Sequence, residues 1–196
     1  MSTFQATCAD RLRTVCAATE QRVVRVFAQD ESRFGLLTVR RRRLTARGVQ
    51  PIGTIQHTFQ SFYMYGAVAP TTGEHFFLSL AQLNSTHFQI FVDAFAHAYP
   101  DSLNILVLDN SGAHTAKRLV IPDNIRLVLL PPYAPELNPI ERVWRDLKDE
   151  VAWRSFTDVA ALQRYVADML DTYDAATLQS LTGYSYVVEA VNALSA

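Results

Sequence analysis

Two apolar runs constrain this chain more than any other feature. Asn104-Ile-Leu-Val-Leu108 and Ile125-Arg-Leu-Val-Leu-Leu130 are nearly unbroken in hydrophobicity. A half-exposed strand alternates apolar with polar, whereas a run like these reads as a strand buried on both faces, covered by helices. Upstream lie segments of a different kind. Residues 22–29 are rich in β-branched side chains and read as a strand ending at Asp30-Glu31. Residues 36–39 are a further short candidate, 60–69 another strand, and 76–80 its partner across a turn at 71–74. The predicted sheet is therefore mixed and five-stranded, three antiparallel strands and then two parallel ones, in an α/β arrangement flanked by helices.

The helices follow from apolar spacing. Residues 3–20 place Phe4, Cys8, Leu12, Val15 and Cys16 on one face. Ser85 or Thr86 can cap a helix reaching about Tyr99, with Phe88, Phe91, Val92 and Phe95 inward. A short helix is predicted around 115–119. Pro131 to Pro135 form a loop that neither helix nor central strand accommodates. Asn138 then stands as N-cap of a helix to about Trp153, and 157–173 is a second amphipathic helix before a last short one. The reading is one domain over 1–196, with an N-terminal helix at 1–20 and C-terminal helices over 155–196.

Composition excludes several classes. With 49% hydrophobic and 19% charged residues among 196, the chain is globular rather than disordered or fibrous. No stretch approaches the roughly 18 apolar residues of a membrane span. The first residues lack the apolar core of a secretory signal. Cys8 and Cys16 show no CxxC pattern and fit reduced thiols in a cytoplasmic, intracellular protein. The net charge of −1 hides an asymmetry, because residues 1–50 hold ten Arg against four acids and the remainder is acidic. Such a split suggests a polyanionic partner, and Arg suits phosphate.

Three acids stand where chemistry is placed in α/β folds. Asp30 follows the first strand and Asp109 follows the 104–108 strand. Were these strands parallel neighbours, both carboxylates would lie at the sheet edge where ligands bind. Glu141 falls in the first turn of the helix after the Pro-rich loop. Hard carboxylate oxygens suit Mg²⁺, and two such ions clamp the oxygens of an in-line phosphoryl displacement. Each acid has a structural reading too. Asp109-Asn-Ser-Gly112 is good turn chemistry, Glu141 completes a capping box with Asn138, and Asp30 can simply pair with an Arg. Glu31 points to the opposite face from Asp30 if the strand continues, which suits an ion-pair partner better than a ligand.

The run LPPYAPELNPIERVW, residues 130–144, resembles the last catalytic motif of the Tc/mariner-type DDE transposases, in their bacterial insertion-sequence branch. LVLDNSGAH at 106–114 resembles the second motif and AQDESRF at 28–34 the first. Residues 44–48 and 65–74 agree in order, with Leu44 where the family commonly has Trp. The resemblance implies a ribonuclease H-like fold and a DDE superfamily endonuclease. It implies that Asp30, Asp109 and Glu141 bind two Mg²⁺ or Mn²⁺ ions. It implies hydrolysis at transposon ends, then 3′-hydroxyl attack on target DNA, typically at TA, in a complex that is usually a homodimer. The interval from Asp109 to Glu141 is slightly short for the family. About twenty residues precede the first strand, too few for the usual helix-turn-helix module. The recognition module is therefore expected on a separate polypeptide from an adjacent frame. The alternative is an inactive or truncated transposase-derived DNA-binding module.

Further residues border this site. Asn110 can bind a metal-held water or a phosphate, or simply complete the turn. His114 can meet the scissile phosphate or a site acid, or serve as a polar surface or capping group. Asn138 is a neighbour through its helix start. Arg40, Arg41, Arg42, Arg43 and Arg47 form a basic cluster, read as DNA-backbone contacts or as a solvated face. Tyr133 can stack on a frayed base or anchor its loop. Trp144 is expected to pack the Glu141 helix on the sheet, and Trp153 to lie in the core.

Overall fold

The computed structural model describes residues 3–16, 23–37, 46–49, 56, 58–114, 116 and 118–194. Among them five strands form one sheet: β1 (Val23–Gly35), β2 (Ser61–Val68), β3 (His75–Leu80), β4 (Ser102–Leu108) and β5 (Ile125–Leu129), in the order β3-β2-β1-β4-β5. β1 is antiparallel to β2, and β2 to β3. β1 is parallel to β4, and β4 to β5. The expected mixed sheet is thus present, and every residue of β4 is buried as its unbroken apolarity requires.

Helices cover both faces. α2 (Ser85–Ala98) lies on one, setting Phe88, Phe91 and Phe95 against Phe27, Tyr65, Leu106 and Leu108. Phe27 meets Phe95 edge-on at 4.9 Å, a favoured aromatic geometry. On the other face α1 (Thr3–Cys16) and α6 (Ser185–Asn192) pack over Val26, Ile105, Val107 and Val128. Beside them α3 (Glu141–Val151), α4 (Val159–Asp171) and α5 (Ala175–Thr182) cover Ala28, Met64 and Val68. No helix among the described residues is long and apolar enough to cross a membrane.

Four local expectations change. β1 does not stop at Asp30-Glu31 but runs on to Gly35, because β2 continues to pair with it from Asp30↔Gly66 to Gly35↔Ser61 after β4 has ended. Asp30 is therefore inside a strand. The N-cap of α2 is Asn84, whose side chain accepts from the His87 N–H, and neither Ser85 nor Thr86. Of the helix around 115–119, the described residues Ala116, Arg118 and Leu119 are not helical, with Arg118 in a turn, and Thr115 and Lys117 lie outside the described residues. α3 begins at Glu141 and ends at Val151, with no side chain capping its start. Asn138 instead follows a 3₁₀ turn (Pro135–Leu137), with its Nδ2 donating to the Gln29 carbonyl. Of the candidate strand at 36–39, Leu36 is buried in the core, while residues 38 and 39 lie outside the described set.

One packing contact decides where α3 sits. Trp144, 1% exposed, lies across β2 at Gly66 and meets Phe77 of β3 edge-on at 5.9 Å. A Cβ built at Gly66 falls 2.7 Å from both the Trp144 and the Phe77 rings. Only the missing side chain lets the indole reach the sheet. Gly66→Ala should therefore push α3 outward and lower stability by about 1–3 kcal/mol, as overpacked cores do. Urea unfolding checks this, and a wild-type midpoint in the variant would refute the wedge.

Candidate active site

The strand register brings the first two acids together. Ala28 is paired with Val107 across the parallel β1–β4 ladder. Two residues further on stand Asp30, within β1, and Asp109, just past the end of β4, so the two acids lie at one level of the sheet. Asp109 lies just beyond β4, with its side chain 53% exposed. Glu141 enters from above as the first residue of α3. A helix start carries partial positive charge and suits a carboxylate.

Electrostatics ties the three acids to one another. The Asp30 carboxyl is pushed well up, first by burial and then by the charges of Glu31, Glu141 and, more weakly, Asp109. Charges that bear on one buried carboxyl in this way lie close around it. Among the described residues no three His, Cys, Asp or Glu side chains close into a ready-made metal cage. The arrangement is an open half-shell, hard-oxygen in character.

Each acid is held by its own partners. The Trp144 indole N–H donates to Asp30 Oδ2 at 3.0 Å. Trp144 therefore both packs α3 and aims the first carboxylate, and the second role left no sequence signal beyond a Trp one turn after Glu141. Asn138, 3% exposed, donates from Nδ2 to the backbone carbonyl of Gln29 at 2.8 Å. This pins the entry to α3 onto β1 immediately before Asp30. The Asn138 Oδ1 is buried with no hydrogen-bond partner among the described residues.

Asp109 is held from below. Its Oδ1 accepts from the Ser111 backbone N–H at 3.0 Å and lies 2.7 Å from His114 Nδ1. The other ring nitrogen of His114 lies 3.0 Å from Glu31 Oε1. His114 thus meets two site acids, as one of its readings foresaw, and it is buried rather than a surface group. Burial alone would lower the pKa of the ring, but the hydrogen bond and charge of Glu31, with Asp109, outweigh it and raise it. Glu31 faces away from Asp30 and pairs with a cation-capable ring, as the alternation of β1 anticipates.

A cavity of about 510 Å³ opens beside Asp109, lined by Asn110, Ser111 and residues 130–135. Asn110 is exposed on its wall. Tyr133 is fully solvent-exposed and holds φ at 57°, so it projects from the Pro-rich loop rather than anchoring it. Positive φ is strained for an aromatic residue. Arg47 is exposed in a described turn, while Arg40, Arg41, Arg42 and Arg43 lie outside the described residues. Sequence reasoning overlooked Arg145, exposed one helical turn beyond Glu141 on α3. Gly66 was also overlooked, and a glycine inside a strand pattern is the signal that marks a close approach.

Comparisons with known proteins agree with this geometry. The family model described as DDE superfamily endonuclease matches residues 25–163. The uncharacterized protein y4pE/y4sA of Sinorhizobium fredii is 38% identical over 88 residues, which is 44% of this chain and 65% of that protein. The fold is similar to the crystal structure of the Mos1 strand transfer complex, with TM-score 0.65 and 13% identity over 97% of this chain and 59% of that one. The mariner Mos1 paired end complex with Mg gives TM-score 0.62 and 14% identity over 96% of this chain and 59% of that one. The chain thus spans under two thirds of the length of these relatives. At such identities the structural likeness establishes the fold, the ribonuclease H-like arrangement of Mos1 transposase. The family match covers the strands and helix start that carry Asp30, Asp109 and Glu141, and the chain belongs to the DDE superfamily endonucleases.

Proposed function

We propose that this chain is the catalytic domain of a transposase, hydrolysing phosphodiester bonds at element ends and joining the freed 3′-hydroxyl to target DNA. The observation that carries the reading is the gathering of Asp30 in β1, Asp109 just past β4 and Glu141 at the start of α3, close enough that the charges of the other two bear on the buried Asp30 carboxyl. Such a set demands positive charge. The hard oxygen donors and the unpartnered Asn138 Oδ1 fit Mg²⁺ or Mn²⁺. Two ions held by the three acids, with DNA completing their coordination, are part of the proposal. Bound there, they would supply Lewis acidity for activating water or the 3′-hydroxyl and for stabilising the leaving oxygen.

The chain's own groups orient and hold. Trp144 fixes Asp30, the Ser111 N–H and His114 fix one oxygen of Asp109, and Asn138 ties the Glu141 helix to β1. Tyr133 and Asn110, on the cavity beside Asp109, would meet nucleotides flanking the cut. Arg47 and the cluster from Arg40 to Arg43 would hold the DNA backbone. A homodimer, a separate helix-turn-helix polypeptide, a TA target and an intracellular, nucleoid-associated location belong to the same proposal. Mos1 structures with Mn and with Mg support the choice of ions by analogy.

One observation favours a second reading, a DNA-binding module without catalysis: the acids stop short of a closed cage. Such a module would bind duplex with a log affinity falling by about 0.9 per decade of salt for each phosphate neutralised, and would not cut under any metal.

Nicking of transposon-end DNA in Mn²⁺ separates the two. Wild type should cut, and Asp109→Asn should abolish cutting while leaving the circular dichroism spectrum unchanged. A folded wild type that neither cuts nor takes up Mn²⁺ with DNA bound would overturn the catalytic reading. Trp144→Phe keeps a ring over Gly66 but removes the donor to Asp30. It should reduce cleavage by about 10–100-fold, the usual loss when a ligand's supporting partner goes. Wild-type cleavage rates in that variant would remove Trp144 from the site.

A further inference from the structure

A chain of buried polar side chains runs beneath the site on the face opposite Asp30. Gln29, fully buried, donates from Nε2 to Glu31 Oε1 at 2.9 Å. Glu31, its side chain 4% exposed, lies 3.0 Å from His114 Nε2. His114, with 1% of its side chain exposed, reaches Asp109 Oδ1 at 2.7 Å, and its ring rests on Phe88 at 4.4 Å. Buried charged groups are expensive unless fully partnered, and an apolar pair of similar volume would pack here at lower cost. Asp109, by contrast, sits past the strand end with its side chain half-exposed, beyond the reach of the β4 ladder. Two donors converge on its Oδ1, the Ser111 N–H and His114.

We propose that Glu31 and His114 are positioning residues: the ring clamps Oδ1 of Asp109, Glu31 clamps the ring, and Oδ2 is thereby presented to a bound divalent cation. The inference rests on the metal reading of the site given above. It adds a physical link between the two strand-borne acids. Glu31 adjoins Asp30 in the same strand, so one rigid β1 segment sets the orientation of both Asp30 and, through His114, Asp109. Partners of metal ligands commonly act this way, and losing one typically weakens metal affinity by about 10–100-fold.

The two amide replacements of His114 separate positioning from packing. Asn places an N–H near the position of Nδ1 and keeps the donor to Asp109, but cannot reach Glu31. Gln keeps the reach to Glu31 and loses the donor to Asp109, although its volume is nearer that of His. Mn²⁺ uptake by each folded variant, with nicked duplex DNA bound, is read by electron paramagnetic resonance of the free ion. His114→Gln should raise the half-saturating Mn²⁺ about tenfold or more, and His114→Asn should stay within about threefold of wild type. Glu31→Ala should raise it about tenfold in the wild-type background and add nothing to His114→Asn, because Glu31 acts only through the ring. A second readout needs no metal: in ¹⁵N-histidine spectra, Glu31→Ala should shift the His114 Nε2 resonance. Equal Mn²⁺ shifts for the Asn and Gln variants, additive effects of Glu31→Ala, or an unmoved Nε2 resonance would each overturn the proposal. Failure of the metal reading shows in the wild type itself, as absent Mn²⁺ uptake. Failure of the positioning role shows only as a difference that does not appear between variants of a chain that binds.

Discussion

The seat of Trp144 over Gly66 is the contact on which the site depends. It fixes the height and angle of α3 above the sheet, and so where Glu141 can stand. The same indole donates to Asp30. Packing and carboxylate placement are thus one event, not two. A dispersion contact without direction would hold the helix but leave Asp30 free to turn. A hydrogen bond alone, without the buried ring, would lack the stiffness that a packed core provides. Asn138 adds a second tether from the α3 entry to the Gln29 carbonyl, so the helix is tied to β1 at Asp30 and at the residue before it.

Around this frame the electrostatics is deliberately unbalanced. Asp30 is pressed by burial and by three neighbouring acids, a state that only a proton or a cation relieves. The acids nevertheless do not close on one point. Mutual repulsion holds an open half-shell open, and substrate phosphates are natural partners for completing an Mg²⁺ shell. Beneath the shell the logic reverses. Glu31 and Asp109 share His114, so negative charge there is matched inside the protein. The upper face awaits a partner, and the lower face already has one.

Much of this was legible in the chain alone. The apolar continuity of residues 104–108 marked β4 as buried on both faces, whereas the like run at 125–130 became the edge strand β5, only partly buried at Arg126, Leu127 and Leu129. The positions of Asp30, Asp109 and Glu141 relative to their elements pointed to one edge. Alternation along β1 put Glu31 opposite Asp30. These are local or periodic properties, carried by the spacing of residues along a segment. The family resemblance added an expectation of fold that the sheet order and the similarity to Mos1 bear out.

Where the sequence misled about the site, the partner was distant along the chain. β1 extends past Asp30 because β2, some thirty residues away, keeps pairing with it. Asn138 does not cap α3: its Nδ2 donates to a carbonyl 109 residues earlier, and its Oδ1 accepts no N–H of the helix start. Trp144 reaches Asp30 across 114 residues, and His114 reaches Glu31 across 83. Hydrophobic period and turn chemistry are set by neighbours in the chain, so the sequence by itself determined the elements and their candidate acids. Hydrogen bonds and ring contacts at these separations exist only once the sheet has closed and the helices have docked, so only the tertiary structure decided how each acid is held.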